Sequence, residues 1–185
     1  MGHKHTKSEI LDGALAVAFA DGLSNLTFGR VAKHLGINDR IVVYYFPTKD
    51  DLVGEVLVVM GLQLQETLAV AFDAPAADHL DLLSRAWPVL AHADADPVFA
   101  LFFEASGLAA IGREPYRSLL PELVDAWITW TAEFVTGTRA RRRAEAEAAV
   151  ATIDGLLLLL LLLLQLAGPD AARRAARTLG IRSRR

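Results

Sequence analysis

The sequence has no cysteine, and only two methionines, three tryptophans and three tyrosines among its 185 residues. Without cysteine, disulfide bonds and thiolate zinc sites are excluded, and a reducing compartment is expected. Alternating runs that would predict strands are scarce. The first residues are polar and do not form an apolar leader, so we expect no secretory signal. Together these absences favour an all-α, cytoplasmic protein.

The chain is rich in alanine and leucine, and its charge is unevenly distributed along the sequence. Hydrophobic residues make up 53% of the chain, and the formal net charge is −3. Residues 1–49 hold six basic and four acidic side chains, whereas the remainder holds thirteen basic and eighteen acidic ones. The N-terminal part is therefore positive and the rest negative, as expected if the N-terminal part faces a polyanion.

One segment, from Leu26 to Lys49, has the pattern of two short helices joined by a turn. Thr27 is a suitable N-cap for the first helix, and Gly36 can end that helix in the left-handed conformation. Asn38 is a suitable N-cap for the second helix, which Pro47 stops because proline lacks an amide hydrogen. This layout predicts a helix-turn-helix, whose second helix enters the major groove of DNA.

Helical periodicity continues along the rest of the chain, whose length suffices for one large or two small domains. We expect one domain over residues 1–50 and another over residues 51–185. The further predictions are a first helix over Lys7–Asp21 with a Thr6–Glu9 capping box, a fourth helix after Thr48, a sixth N-capped by Asp96, an eighth over 139–166, and a short ninth beyond Gly168-Pro169.

The segment from Ile10 to about Leu52 resembles the N-terminal domain of TetR-family transcriptional regulators. It departs from the family where Val43 replaces a tyrosine that commonly contacts phosphate, and at Gly29-Arg30 early in the second helix. The resemblance rests on Asp21-Gly22, Leu26-Thr27, Val31-Ala32, Leu35-Gly36-Ile37, Tyr45-Phe46 and Lys49-Asp50-Asp51-Leu52.

The resemblance implies an all-α fold of about nine helices. In that fold, an N-terminal three-helix domain with the helix-turn-helix is joined by helix 4 to a C-terminal domain for ligand binding and dimerisation. The implied function is a ligand-responsive regulator that binds a pseudo-palindromic double-stranded DNA operator as a homodimer. Repression, with release by a small apolar or aromatic effector, is the expected mode, although the sequence does not separate a repressor from an activator.

Side chains at the start of the third helix are the candidates for contacts with bases. Arginine pairs with guanine and asparagine with adenine in the major groove, which assigns Arg40 and Asn38 to base contacts. Alternatively, Asn38 acts only as a cap and Arg40 only as a solvated charge. Asp39 either accepts from cytosine or stabilises the helix N-terminus. The full candidate set for DNA binding is Thr27, Arg30, Asn38, Asp39, Arg40, Tyr44, Tyr45 and Lys49.

Nine consecutive leucines run from Leu156 to Leu164. A helix that is apolar on all sides is buried on all sides or lies in lipid. The uninterrupted stretch 155–164 would rise only about 15 Å, roughly half the hydrocarbon thickness, and Asp154 would be costly in lipid. We therefore favour a dimer interface over a membrane span, as the family resemblance also implies. The candidate interface residues are Leu156, Leu159, Leu160 and Leu163.

Aromatic side chains recur at helical spacing, and most of them are interpreted as core. A pocket between helices is the functional alternative. Glu104 either orients a cationic or hydroxylated ligand or lies on the surface. The candidate effector-binding residues are Met60, Trp87, Phe99, Phe102, Phe103, Glu104, Trp127 and Trp130.

No residue pattern typical of an enzyme occurs, since a phosphate loop, a cysteine nucleophile and a di-iron glutamate–histidine pair are all missing. His79, His92, Asp94 and Asp96 lie close in sequence and suggest a metal site. We expect none, because Asp96 is interpreted as an N-cap in a loop. Neither a cofactor nor a membrane partner is expected. The alternative functions are a membrane-anchored helical protein and a helical enzyme or lipid carrier.

Overall fold

The computed structural model describes residues 5–166 together with residues 174, 177 and 178. The all-α prediction is confirmed: this part of the chain forms no strand, and its one isolated bridge joins Ala76 to Val135. The predicted ninth helix lies outside the continuously described range. The helices are α1 (Lys7–Asp21), α2 (Phe28–Leu35), α3 (Asp39–Tyr45), α4 (Lys49–Ala69), α5 (His79–Leu90), a 3₁₀ helix (Ala93–Ala95), α6 (Asp96–Ala110), α7 (Tyr116–Ala132) and α8 (Arg139–Leu166).

The chain divides into two compact units, and α4, α6 and α7 contribute residues to both. The first unit comprises Met1–Gln63 and Leu101–Leu120. The second comprises Leu64–Ala100 and Pro121–Arg185. The helix-turn-helix belongs to the first unit, whereas the leucine run belongs to the second.

Local capping chemistry starts the first helix of the N-terminal unit. The Glu9 amide donates to Thr6 Oγ1 at 3.2 Å, and the Thr6 amide donates to Glu9 Oε2 at 2.8 Å. This reciprocal pair is the predicted capping box, and it is confirmed. The apolar stripe of α1, including Ile10 and Ala14, is fully buried in the core of the unit.

A glycine lets α1 and α2 approach closely. A Cβ placed on Gly13 would lie 2.7 Å from Leu35 Cδ2 and 2.8 Å from its Cγ. These separations are too short for a methyl group, so a larger residue at position 13 would force the Leu35 side chain, or α2 with it, to shift. The present packing of Leu35 against α1 therefore depends on the absence of a side chain at residue 13.

The prediction that Asp96 caps α6 is wrong. Asp96 has the helical angles φ −54° and ψ −43° and is itself the first residue of α6. A 3₁₀ helix precedes it directly, and His92 caps that element by accepting from the Asp94 amide at 3.3 Å. The cap position moved because the chain turns from one helix into the next without an extended residue between them.

Hydrogen bonds connect the loop before α5 to other parts of the second unit. The Ala76 amide donates to the Phe134 carbonyl at 2.7 Å, and the Thr136 amide donates to the Ala76 carbonyl at 3.0 Å. The Arg85 side chain is largely buried, pairs with Asp81 at 2.7 Å and also donates to the Ala74 carbonyl. These bonds tie α5 and the end of α7 to one short loop.

One helix among the described residues, α4, is long and apolar enough by length and composition alone to cross a membrane. It supplies core side chains to both units, including Leu52, Val53 and Leu68. A core helix passes the same test of composition, so this feature does not favour a membrane-anchored protein.

Candidate DNA-binding surface and ligand cavity

The turn between α2 and α3 has the predicted geometry. Thr27 Oγ1 accepts from the Arg30 amide at 3.3 Å, which caps α2. Gly36 ends α2 with φ 67° and ψ 32°, in the left-handed region that glycine tolerates best. Asn38 Oδ1 then accepts from the Arg40 amide at 2.9 Å and caps α3. Only residues 36–38 separate the two helices, and the local bonds at Gly36 and Asn38 set where α2 ends and α3 begins.

The third helix has one buried side and one free side. Val42 and Phe46 are almost fully buried and attach α3 to the rest of the unit. Asn38, Asp39 and Arg40 are exposed at its N-terminus, the end that approaches base edges in a helix-turn-helix. The Arg40 guanidinium makes no ion pair with the described residues.

The two adjacent tyrosines of α3 have different environments. The Tyr45 hydroxyl donates to the His5 carbonyl at 2.8 Å and is half-buried. Tyr44 is 79% exposed and packs edge-on against Tyr45, with ring centroids 5.0 Å apart. Val43, at the position of the family's usual tyrosine, is exposed as well. Of these positions, Tyr44 offers a phenol hydroxyl to solvent.

The remaining candidate DNA contacts surround the start of α2 and of α4. Arg30 Nη1 lies 2.5 Å from Asp21 Oδ2, so part of its charge is already paired. Lys49 Nζ donates to the Ser24 carbonyl at 3.4 Å and is otherwise exposed. A capping box starts α4, because the Asp51 amide donates to Thr48 Oγ1 at 3.0 Å and the Thr48 amide donates to Asp51 Oδ2 at 3.0 Å.

Glu104, a candidate effector residue, lies in the first unit and holds the loop before the helix-turn-helix. Its Oε2 accepts from the Leu23 amide at 2.8 Å, and its Oε1 accepts from the amide and hydroxyl of Ser24 at 2.8 and 2.6 Å. Burial opposes its ionisation, but the bonds from Ser24 and Leu23 and the charge of Lys49 outweigh this and lower the Glu104 pKa. Glu104 is thus an ionised anchor of the α1–α2 loop.

The second unit contains a cavity of about 40 Å³ among its helices. Three of the candidate effector residues, Phe99, Trp127 and Trp130, line it. Trp87 is buried in the same unit but does not line the cavity, and Met60, Phe102 and Phe103 belong to the first unit. The other lining residues are Leu68, Phe72, Leu82, Leu83, Ala86, Leu90, Thr131, Ala149, Val150, Ile153 and Asp154.

Asp154 is the lining residue that sequence reasoning did not assign to a site. Burial raises the pKa of its carboxyl from 3.8 to about 7. Its one signal in the sequence is that it is the single acid within a long apolar stretch of α8, a feature that argues against a position in lipid. No local pattern of the sequence connects this residue to the tryptophans of α7, which line the same cavity.

The residues considered for a metal site are engaged in other contacts. His79 Nδ1 lies 2.7 Å from Glu145 Oε2, and this side-chain bond, together with the His79 amide, lowers the Glu145 pKa. His92 caps the 3₁₀ helix, as described above. Across the described residues, no group of three or more histidine, aspartate or glutamate side chains could hold a metal ion.

The leucine run of α8 has a buried and an exposed side. Leu156, Leu157 and Leu160 are buried inside their own unit, whereas Leu158, Leu159 and Leu162 are between 41% and 49% exposed. The side chain of Leu163 lies outside the described part. Ala151 and Gly155 are exposed as well, about two turns and one turn, respectively, before Leu158 and Leu159. The exposed side is therefore a continuous apolar stripe, hereafter the α8 stripe, of Ala151, Gly155, Leu158, Leu159 and Leu162.

Residues 10–56 match the family model of bacterial regulatory proteins of the tetR family. No curated protein has a significant sequence match to this chain. The matched range covers most of α1, all of α2 and α3, and the start of α4.

Solved structures with the same fold cover nearly the whole chain. A TetR transcriptional regulator from Legionella pneumophila is 19% identical with a TM-score of 0.65, and 97% of each chain is covered. A protein from Saccharomonospora viridis, solved with choline and described as a transcriptional regulator, is 19% identical with a TM-score of 0.71 over 94% of each chain. The multidrug binding protein EbrR, solved with proflavin, is 24% identical with a TM-score of 0.65, covering 94% of this chain and 98% of its own. Residues 10–56 therefore have the sequence pattern of the tetR family's N-terminal domain on a helix pair of this geometry, and the chain has the same fold as these solved structures along nearly its whole length.

Proposed function

We propose that the protein is a homodimeric, ligand-responsive repressor. Residues 1–50 would bind one half-site of a pseudo-palindromic operator, and residues 51–185 would hold the effector and the dimer interface. The observation that carries the proposal is the exposed N-terminus of α3, where Asn38 caps the helix and Arg40 is exposed, directly after an α2 that is capped at both ends. A helix held in this way fits the major groove without further ordering.

We assign base and phosphate contacts from the exposure of each side chain and from the hydrogen bonds and ion pairs that it already makes within the chain. Arg40 is the proposed base-reading residue, because its side chain is exposed and makes no ion pair in the described structure. Tyr44 and Lys49 are the proposed phosphate contacts, since Tyr44 is exposed while the Tyr45 hydroxyl already donates to His5. Thr27, Arg30 and Asp39 surround them as secondary candidates.

The α8 stripe is the proposed dimer interface. Its exposed leucines supply apolar area that a second copy of the chain would bury, while Leu156 and Leu160 support the stripe from inside the unit. A dimer is also what the operator mechanism requires, because two half-sites lie about one helical turn, or a multiple of it, apart.

Two arginines on the α8 stripe are expected to separate the dimer. In the double variant Leu159→Arg/Leu162→Arg, two unpaired charges would enter an apolar interface, which we expect to weaken association by at least about 100-fold. The matched control is Val70→Arg/Ile111→Arg, which adds the same charge at residues that are 83% and 73% exposed. Sedimentation velocity at micromolar concentration should give a dimer for the wild type and the control and a monomer for the stripe variant. A monomeric wild type would contradict the interface.

An effector in the second-unit cavity would release the operator by favouring a conformation in which the two DNA-binding domains no longer match the half-site spacing. The cavity's apolar and aromatic lining supports a small organic ligand. Proteins of this fold solved with choline and with proflavin support the same proposal. A cytoplasmic location and the absence of enzymatic activity follow from the proposed role.

Selection of bound duplexes from random-sequence DNA tests the proposed function. The wild-type chain should enrich a sequence with two inverted half-sites, and a gel-shift titration should then show preference over the same duplex with scrambled half-sites. Enrichment of no motif, with equal affinity for both duplexes, would contradict the proposal.

A further inference from the structure

The cavity of the second unit combines an acidic group with an aromatic lining, and this combination specifies a ligand class. Asp154 is the one ionisable residue among those that line it, on any of the helices α4 to α8, and no hydrogen bond or ion pair with another described residue satisfies its carboxylate. Thr131 adds a hydroxyl, and the remaining lining is apolar or aromatic.

The aromatic side chains provide faces that attract positive charge. Trp127 and Trp130 stack with ring centroids 5.1 Å apart and an interplanar angle of 13°, and Phe72 lies 5.8 Å from Trp130. All three rings line the cavity together with Phe99. A cation over a tryptophan face gains free energy, and this gain grows when the site excludes water.

A carboxylate in such a lining is unfavourable when it has no counter-charge. Ionised Asp154 loses hydration and finds no partner, so the empty site favours its protonated form. A ligand cation would supply the missing charge and restore the ionised form. A neutral ligand would leave the carboxyl as it is and would use only the apolar contacts.

The size of the cavity limits the ligand further. A volume of about 40 Å³ holds a few waters or one compact group, and it is far below the roughly 300–1,000 Å³ of a site that encloses a drug-sized molecule. A compact, poorly hydrated head such as an alkylated ammonium fits this limit better than a flat polycyclic ion.

We propose that this cavity binds a small organic monocation, with an alkylammonium head held between the Asp154 carboxylate and the faces of Trp127 and Trp130. The inference deepens the proposed function, since it names the ligand class of the effector site. It sharpens the expectation of an apolar or aromatic effector into one that carries a positive charge.

Direct binding to the full-length chain, without DNA, tests the inference. The probes are tetramethylammonium and 2,2-dimethylpropan-1-ol, a soluble neutral molecule of similar shape. Calorimetry and tryptophan fluorescence at pH 8 should show saturable binding of the cation at least about tenfold tighter than binding of the alcohol. Equal affinity for the two probes, or no saturable cation binding up to about 10 mM, would overturn the inference.

Two variants then test whether Asp154 supplies the negative charge that binds the cation. Asp154→Asn should weaken tetramethylammonium at least about tenfold and leave the alcohol unchanged. Asp12→Asn, which removes the same charge from the exposed side of α1, should bind both probes as the wild type does. Unchanged cation binding in Asp154→Asn would overturn the assignment. The probe comparison on the wild type stands even where a variant does not fold.

The same titration at pH 6 and pH 8 gives an independent readout. Because the cation binds the ionised carboxylate, affinity should rise with pH across this range, and binding should release a proton that is measurable in buffers of different ionisation enthalpy. A pH-independent affinity would contradict the role of Asp154. Since none of these measurements contains DNA, their failure with operator binding intact would remove the ligand class and leave the proposed regulator standing.

Discussion

Replacing Asp154 with asparagine is expected to raise the free energy of unfolding at pH 8 by up to about 4 kcal/mol. Burial raises the Asp154 pKa from 3.8 to about 7 in the folded protein. The folded state therefore keeps this proton at pH values where the unfolded chain has already lost it. Between these two pKa values, each unit of rising pH costs the wild type up to about 1.4 kcal/mol, and above the folded pKa the loss is complete.

Urea unfolding of wild type and Asp154→Asn at half-unit steps from pH 4 to pH 8 measures this difference. The two proteins should have similar stability at pH 4, and the wild type should fall progressively below the variant as pH rises. Asp12→Asn controls for net charge and should follow the wild-type curve. A constant difference between wild type and Asp154→Asn at all pH values would show that the carboxyl is not desolvated in the folded state.

Removing the side chain of Arg40 is expected to weaken operator binding by about 1–3 kcal/mol, or roughly 5- to 150-fold, and to relax the base preference at one position of each half-site. A bidentate contact with guanine uses donors that the described structure leaves without an ion pair. The fold should be unaffected because the side chain is exposed, and the cap at Asn38 uses the Arg40 amide, which alanine retains.

Two further variants separate base reading from simple charge. Lys49→Ala should weaken all duplexes about equally and reduce the salt dependence by about one counterion, as expected for a phosphate contact. Arg117→Ala, at an exposed position outside the helix-turn-helix, should have a small effect. If Arg40→Ala loses affinity for operator and scrambled duplex in the same proportion, Arg40 contacts phosphate and does not read a base.

The N-terminal helices could be predicted because their boundaries depend on neighbouring residues. The caps at Thr6, Thr27, Asn38 and Thr48 each involve partners within three residues, and a reader of the sequence sees both members. The left-handed turn at Gly36 is likewise a property of one residue. The predicted cap at Asp96 is wrong because the role of Asp96 depends on the 3₁₀ helix that directly precedes it.

Contacts between residues that are far apart in the sequence could not be predicted from local patterns. The bond from Tyr45 to the His5 carbonyl spans 40 positions, and the bonds from Ser24 to Glu104 span 80. The sequence presented Glu104 as a ligand candidate, while its actual neighbours are backbone amides of a loop that no local pattern connects to α6. Asp154 and the tryptophans of α7 are a further case, because only packing brings a lone acid and an aromatic pair to one cavity.

The leucines of the run are identical in sequence but differ in how exposed they are in the folded protein. Nine identical residues carry no periodicity, so the sequence alone could not separate the side that faces the unit from the side that faces away. Packing against the unit buries Leu157 and leaves Leu158 exposed. The α8 stripe is thus defined by the tertiary structure, although the need for an apolar partner was visible in the sequence.

In the proposed regulator, two copies of α3, held by one dimer, bind one DNA duplex with sequence preference. Analytical ultracentrifugation of the wild-type chain with a labelled selected duplex, near physiological salt, measures both the number of protomers per duplex and the affinity. We expect complexes with an even number of protomers, two for a single pair of half-sites, and an affinity at least about 1,000-fold above that for a scrambled duplex. One protomer per duplex, or equal affinity for the two duplexes, would contradict it.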